Sequence, residues 1–588
     1  MKRALLLTVC MAAIAAISQA QQTTVNVETA GTLSEQIGSD KYTITSLKIT
    51  GNLNGTDFIL LRDMAGIDLD NVPTEGKLAT LDLSEAKVVA GGEAYYTDYV
   101  NNKEFYTSDN EMGNCIFYSC DKLESLSLPA GTTVVGDSAF MRCTALSEIT
   151  LPDGLKEIRS YAFAETALNE ITLPDRLKEI RSYVFAETQI TSFHFNNGIM
   201  PTEGMFQNCG KLTSVTLPEE CEEIPANTFS GTAITEITLP KNLVKIGKEA
   251  FSSCMLTSLE CPATLKEIDE SAFFMCSGLT SVYLNDGLKN IKDMAFSYCN
   301  KLESIEIPNS VTELEGCFSN CTALKSAVLP EDLTAIPDYM FDRCSNLESV
   351  NIPEGVKTIG DNAFQNNMRL LDVVFPEGLE SIGKNAFSSC YTMENINLPE
   401  TVKTIGEGAF YKCDGIIQIH IPGSIETISS RAFQNMKHLE ELTIGEGTKT
   451  IDQMAFINCE SLTKLTLPST LESIGYKAFA YNMLAEVDCK AVTPPACDNT
   501  SFAGWDSDVP QDCLLYVPQG AKAEYEKADV WKEFMIKESE TSGIESETAA
   551  GSTETARYGI DGRKLAKPAR GINIIRMSDG TAKKVINR

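Results

Sequence analysis

The sequence predicts an α/β repeat solenoid, an array of 22–23-residue units with a parallel sheet on one face, capped at both ends. Three observations carry that prediction. A phenylalanine recurs eighteen times from Phe117 to Phe502, at seventeen successive intervals of 21, 22 or 23 residues. Around each Phe the chain repeats an apolar-x-apolar-Pro segment, an apolar residue, an Ile, Ala-Phe and a Leu, as in Ile352-Pro353, Val356, Ile359, Ala363-Phe364 and Leu370. Each unit is too short to bury these apolar positions alone, so neighbours must stack and share one continuous core.

Residues 1–20 read as a secretory signal peptide. Lys2 and Arg3 form a basic start, Ala4 to Ile17 an apolar stretch, and Ser18-Gln19-Ala20 a small-x-small cleavage site. Cys10, preceded by Val9, does not fit a lipid-modified cysteine. No later segment reaches the roughly 18–20 unbroken apolar residues that span a bilayer. The expectation is an exported chain with no transmembrane segment once the signal is removed.

Residues 21–112 lack the Phe period but contain Ile49-Thr50-Gly51 and Leu81-Asp82-Leu83, and are read as an irregular amino-terminal cap. Residues 113–484 form the array. The segment before each Pro, such as Leu302 to Ile307, alternates like a strand and should pair in parallel with its neighbours. Proline ends each strand, since it has no N–H to donate. The Ile and Phe columns fill the core. Residues 485–536 are a carboxy-terminal cap with Tyr525, Trp531 and Phe534, and 537–556, rich in Ser, Thr, Glu, Gly and Ala, a flexible linker. Residues 557–588 contain three short strand-like runs separated by glycines, a small basic β tail.

Units such as Leu398-Pro399 to Val402, Ile405-Gly406, Ala409-Phe410 and Cys413 resemble the BspA-like class of leucine-rich repeats, which makes the array leucine-rich-repeat-like. The resemblance implies a cell-surface or secreted, adhesin-like protein that attaches to host matrix proteins, glycans or other microbes. The tail resembles the sorting domains of the type nine secretion system, ending in the basic Arg588. That resemblance implies contact with secretion machinery through 557–588 and an outer-membrane-associated address. A periplasmic address is the alternative.

Composition narrows the function further. Lys and Arg number 49 against 81 Asp and Glu, a net charge of −32. Nucleic-acid affinity depends on cations displacing counterions from phosphates, so no nucleic-acid partner is expected. The charge is segregated. Residues 557–588 hold nine Lys or Arg and two Asp, a balance of +7, which leaves 21–556 at −41.

Three histidines leave little material for a metal site or a catalytic triad. His194 and His420 are ten repeats apart, on the order of 50 Å at about 4.8 Å per repeat. No HExxH, GxSxG or phosphate loop occurs. A glycosidase pair of carboxylates stays open in so acidic a chain, but identical repeat environments do not supply the two unlike carboxyls catalysis needs. The expectation is a non-enzymatic protein with no cofactor and no metal.

Eleven of nineteen cysteines fall three residues after a repeat Phe. Equivalent side chains in a stack point the same way, so these are expected to be free buried thiols. Cys489, Cys497 and Cys513 lie off the ladder and are the better candidates for one disulfide.

The outward strand positions give the candidate binding surface, with an extracellular protein or glycan as the partner. Its residues are His194, Thr216, Thr238, Glu260, Tyr283, Glu306, Asn351, Asn397 and His420. With the neighbouring Ser- and Glu-rich column they form a stripe of hydroxyls and carboxylates with almost no positive charge. Such a stripe suits a glycan, with Tyr283 as a stacking ring, or a basic protein segment. The alternative function is a surface carbohydrate-handling hydrolase with its site around Tyr95-Tyr96-Thr97-Asp98-Tyr99.

Overall fold

The computed structural model describes residues 22–196, 198–371, 373–504 and 512–539, together with the strands Glu554–Gly559, Gly571–Met577 and Ala582–Asn587. The signal-peptide reading of 1–20 lies outside these residues, as does most of 537–556.

The array is a parallel β-solenoid whose coils have three sides. On the first, three- and four-residue strands pair in parallel in register, as in Ser304–Glu306 with Ser326–Val328 and Ser349–Asn351. Their middle residue is buried or half-buried while the outer two face solvent, which is the period-two alternation of a half-buried strand. A turn at the conserved-in-pattern Pro leads to the second side, a two-residue strand that carries the Ile column, as in Ser381–Ile382 between Thr358–Ile359 and Thr404–Ile405. The sequence predicted one ladder. The second escapes pattern reading because two residues are too few to show alternation.

The third side holds the Phe column, and its connecting segments are turns where an α/β array would place helices. Every successive pair of rings from Phe117 to Phe502 is stacked, for example Phe364 and Phe387 with centroids 5.1 Å apart and planes 9° from parallel. The backbone beside them also pairs between coils. Asn362, Phe364 and Asn366 donate their N–H groups to the carbonyls of Lys384, Ala386 and Ser388 at 2.7–2.8 Å. The two outer donors have left-handed backbone, φ 57° at Asn362 and 62° at Asn366. That pair of positions recurs along the array, filled by Asn, by Gly at 204, 231 and 408, and by residues as large as Tyr161, Met294 and Lys477. Gly and Asn suit such a conformation, while the others carry a local cost that the inter-coil bonds offset.

The cysteine ladder completes the third side. Cys390 Sγ donates to the carbonyl of Phe364 at 3.2 Å, one coil back, and Cys143, Cys209, Cys254, Cys344 and Cys413 repeat the contact at 2.9–3.2 Å. Where Asn367 or Asn482 stands in the column, its amide reaches the same carbonyl; Thr166, Thr188 and Thr232 reach the Phe carbonyl of their own coil. Apart from Met436, the residues named at this position are small hydrogen-bond donors.

All eighteen cysteines among the described residues are free. That includes Cys489, Cys497 and Cys513, the candidates for a disulfide. Cys489 Sγ lies 3.2 Å from the Tyr525 hydroxyl, Cys497 Sγ bonds the Pro495 carbonyl, and Cys513 Sγ points to the Leu514 carbonyl. Each thiol has its own hydrogen-bond partner.

The amino-terminal residues extend the first side of the solenoid. Thr23–Val27, Ser46–Leu53 and Thr80–Val88 run parallel and lead directly into Ser125–Ser127. The helix Gly55–Met64 covers the open end of the core. Asn54 and Asp57 form a capping box at its start, and the Asp57 carboxylate also accepts the N–H groups of Gly31 and Leu33 at 2.6 and 3.0 Å. At the other end Leu514–Val517 and Met535–Glu538 continue the same sheet, and Tyr525, Trp531 and Phe534 close over Phe502. The three tail strands form an antiparallel sheet in the order of the chain. No helix among the described residues is long and apolar enough to cross a membrane.

Candidate functional site

The three-residue strands fix the site. Burying the central residue forces its neighbours outward, so every coil adds one residue to each of two exposed columns. All nine sequence-predicted residues, His194, Thr216, Thr238, Glu260, Tyr283, Glu306, Asn351, Asn397 and His420, are solvent-exposed in one of these columns. The parallel register holds them in file: Glu260 opposite Tyr283, Glu306 opposite Val328 and then Asn351, Asn397 bridged to His420.

Five of the nine are gathered into two depressions. Tyr283, Glu306 and Asn351 line one of about 730 Å³, with Val328 between them. Asn397 and His420 line a second of about 340 Å³ with Asn395, Gln418, Glu441 and Thr443. His194, Thr216, Thr238 and Glu260 belong to the same column outside these two depressions.

The depressions contain residues that strand reasoning missed. Asp286, Asn309 and Glu331 stand three positions beyond Tyr283, Glu306 and Val328, on the turns that follow the strands, and line the same cavity. The equivalent positions elsewhere include Asp153, Asp175, Glu219, Glu354, Glu377, Glu400 and Glu446, all exposed. A third column, mostly acidic, therefore borders the other two. The spacing of three from each outward strand residue was the available signal. Within it Glu400 approaches His420 at 3.7 Å, and Glu446 accepts the Ser469 N–H and hydroxyl.

Charge is sorted between the sides of the coil. On and beside the Ile ladder, carboxylates meet cations from adjacent coils: Lys245 with Glu267 and Asp269 at 2.8 and 3.0 Å, Lys292 with Glu313 and Glu315, Lys449 with Glu426. The two carboxylates beside Lys245 raise its pKa. From Ser125 to Asp488 the two exposed strand columns hold one cation, Lys464. Side chains here offer hydroxyls, amides, carboxylates, one tyrosine ring and the valines Val328 and Val374.

The aromatic cluster of the amino-terminal cap has a different occupation. Tyr95 is buried, its hydroxyl donates to the Asn114 carbonyl at 3.0 Å, and burial drives its pKa far up. Tyr96 packs against Phe105 and Tyr118 under the Arg62 guanidinium, and its pKa is pushed up to about 12 by burial. Asp98 accepts the N–H groups of Val100 and Asn101 and closes the hairpin between Gly91–Asp98 and Lys103–Thr107. The hydroxyl of Tyr99 reaches Asp70. These side chains are spent on packing and loop closure. No group of three or more His, Cys, Asp or Glu among the described residues is placed to hold a metal ion.

Residues 110–203, 201–316, 276–394 and 381–502 match the family described as BspA type leucine rich repeat region. Among solved structures the chain is similar to a leucine-rich repeat protein from Bacteroides ovatus, at 21% identity over 74% of this chain and 89% of that one, with a TM-score of 0.39. It is similar to one from Eubacterium ventriosum at 24% identity, over 50% and 83%, TM-score 0.36. A leucine rich cell surface protein from Faecalibacterium prausnitzii gives 25%, 51% and 84%, and 0.35. No curated protein matches the sequence.

Proposed function

The chain belongs to the BspA-type leucine-rich repeat family, and from that premise we propose that it is an exported, non-enzymatic binding scaffold that presents its strand face to a macromolecule outside the cell. The observation that carries this reading is the exposed strand face itself, where outward polar residues stand in register along each parallel ladder while the Lys–carboxylate pairs of the Ile ladder lie on another side. An extended rigid face of this kind suits a large partner, since affinity from many modest contacts needs them held in fixed spacing. Host matrix proteins, glycans and the surfaces of other microbes are the ligand classes. The basic tail, 557–588, acts in delivery through a type nine secretion route to the outer membrane, and the signal peptide 1–20 in export.

The test is capture of purified matrix glycoproteins and defined glycans by the full chain, beside a variant carrying Glu260→Lys and Asn397→Lys. Capture that weakens at least tenfold in the variant, with unchanged thermal unfolding, supports the reading. Capture indifferent to the face, or turnover of a captured glycan, overturns it. For the tail, deletion of 557–588 should abolish surface labelling of intact cells; labelling that persists removes the delivery role.

A further inference from the structure

The depression between Tyr283 and Asn351 differs from the rest of the strand face in what it combines. Its volume is about 730 Å³, and it crosses four successive strands, from Ser281–Tyr283 to Ser349–Asn351. Tyr283 is 64% exposed and Val328 50%, so an aromatic ring and a branched aliphatic side chain lie open to solvent within it. Asp286, Glu306 and Glu331 line it as well, and none of the three forms an ion pair among the described residues. No Lys or Arg lines it. Lys266, beside the turn, donates to the Gly287 carbonyl at 3.2 Å and to none of the three carboxylates. Two cations of these coils are already engaged, Lys292 with Glu313 and Glu315 and Lys325 with Glu303.

We propose that this part of the face docks an extended, cationic polypeptide segment, with one Lys or Arg side chain seated over the Tyr283 ring between Asp286 and Glu306, and a later side chain of the same segment on Val328. The proposal rests on the binding-scaffold reading and narrows it to one partner chemistry. Charge complementarity selects the occupant: three carboxylates without counter-cations attract a cation and repel an anionic sugar or a phosphate. The ring adds a cation–π contact to a guanidinium or ammonium, and the aliphatic stems of Lys and Arg match the exposed valine. An extended segment is long enough to cross the depression: three inter-strand steps of about 4.8 Å separate Tyr283 from Asn351, a span of about 14 Å that four to five residues cover at about 3.3 Å each. Asn309 and Asn351 supply amides for the segment's backbone. Asn309 already accepts the Glu331 N–H at 2.9 Å through its side-chain oxygen, which leaves its NH₂ to donate.

The experiment uses the full chain and a labelled nonapeptide of alternating Arg and Ser, read by fluorescence anisotropy at low and at physiological salt. The expected result is binding that weakens with salt, falls at least tenfold with Asp286→Asn plus Glu306→Gln, and falls threefold to tenfold with Tyr283→Ala. A charge-matched pair beside the Ile ladder, Glu222→Gln plus Glu472→Gln, should change it less than twofold. Equal losses in the two charge-matched pairs would mean general attraction to an acidic protein and would overturn the proposal. So would absence of peptide binding, or a neutral hexasaccharide whose binding alone depends on Tyr283. If the peptide fails while capture of a matrix glycoprotein still depends on Glu260 and Asn397, only this inference falls and the scaffold reading stands.

Discussion

The hydroxyl of Tyr95 donates to the carbonyl of Asn114 at 3.0 Å, and this contact takes the place of a missing coil. Along the Phe side each coil gives its N–H groups to the carbonyls of the next coil, as Ser138 and Phe140 give theirs to Ser160 and Ala162. The first Phe-bearing coil has no such predecessor, so the carbonyls of Asn114, Ile116 and Tyr118 would be orphaned. Tyr95 takes the first. Arg62, fully buried, donates through Nη1 to Ile116 and Tyr118, and to Cys115 at 3.1 Å. A buried arginine facing carbonyls with its charge over the Tyr96 ring is therefore an end-cap for a backbone ladder.

Removing that cap should loosen the amino-terminal end first. Tyr95→Phe leaves one buried carbonyl without a donor, at a cost of about 1–2 kcal/mol, and Arg62→Met leaves two or more, at about 2–4 kcal/mol. Because stability in a solenoid is partly local, the loss should register as faster hydrogen exchange across residues 80–140 while the coils near Phe433 keep their protection. Uniform acceleration along the chain would show that the two residues serve general packing.

The buried thiols predict an alkaline limit to stability. Burial pushes the pKa of Cys209 and Cys254 up to about 11 and of Cys390 and Cys459 to about 12, from an ordinary value of 9.0. The folded state therefore holds protons that the unfolded chain releases. The stabilising contribution is complete below pH 9 and is lost as pH rises from 9 towards 11–12. In that window each thiol withdraws up to about 1.4 kcal/mol per pH unit. The urea midpoint should be flat from pH 7 to 8.5 and fall steeply by pH 10.5. Replacing Cys209, Cys254, Cys390 and Cys459 with Thr, a residue the column already accepts, should soften that fall.

The left-handed positions beside each Phe predict an asymmetric response to substitution. Met294, at φ 55°, is 42% exposed and donates its N–H to Gly316 at 3.1 Å. A β-branched side chain resists this backbone, so Met294→Val should cost about 1–2 kcal/mol despite the exposure of the site. Met294→Gly should stay within about 0.5 kcal/mol of the parent, because relief of strain offsets the added freedom of the unfolded chain. Chemical unfolding of the two variants checks the sign; a more stable Val variant would contradict the backbone argument.

What the sequence revealed followed from how each feature is encoded. The Phe, Ile and Leu columns were legible because one side chain type recurs at a fixed interval and nothing else fills the space. The strand face was legible because its alternation follows from those buried positions. The left-handed pairs were hidden because Tyr161, Glu249 and Lys477 occupy them as readily as Asn362, so residue type carries little signal where inter-coil bonds impose the conformation. The roles of Arg62 and Tyr95 were hidden for a different reason: each acts once, on carbonyls some twenty to fifty residues away, and an aromatic run in a cap reads equally as a pocket or as packing. The acidic column of Asp286 and Glu331 was readable in principle from its spacing of three. It lies past the proline, where strand reasoning stops.

The far end of the array has a cap of another kind, and its loss should have a different consequence. Trp531 is fully buried against Phe502, the last ring of the column, at 5.4 Å and 58°, and Phe534 meets the same ring edge-on at 5.3 Å. The indole N–H donates to the Pro495 carbonyl at 2.8 Å. Trp531→Ala should cost about 3–5 kcal/mol and uncover the Phe502 face. An uncovered solenoid end offers a stacked ring and a strand edge to a second molecule, so this variant should self-associate in proportion to concentration. Trp531→Phe keeps the ring contact and loses the Pro495 bond. It should be destabilised by about 1 kcal/mol for that bond, with some further loss from the smaller ring, and remain monodisperse. Sedimentation velocity at two concentrations separates the cases: association in both variants would assign the solubility of this end to the hydrogen bond, and in neither would assign it to the strands beyond Leu514.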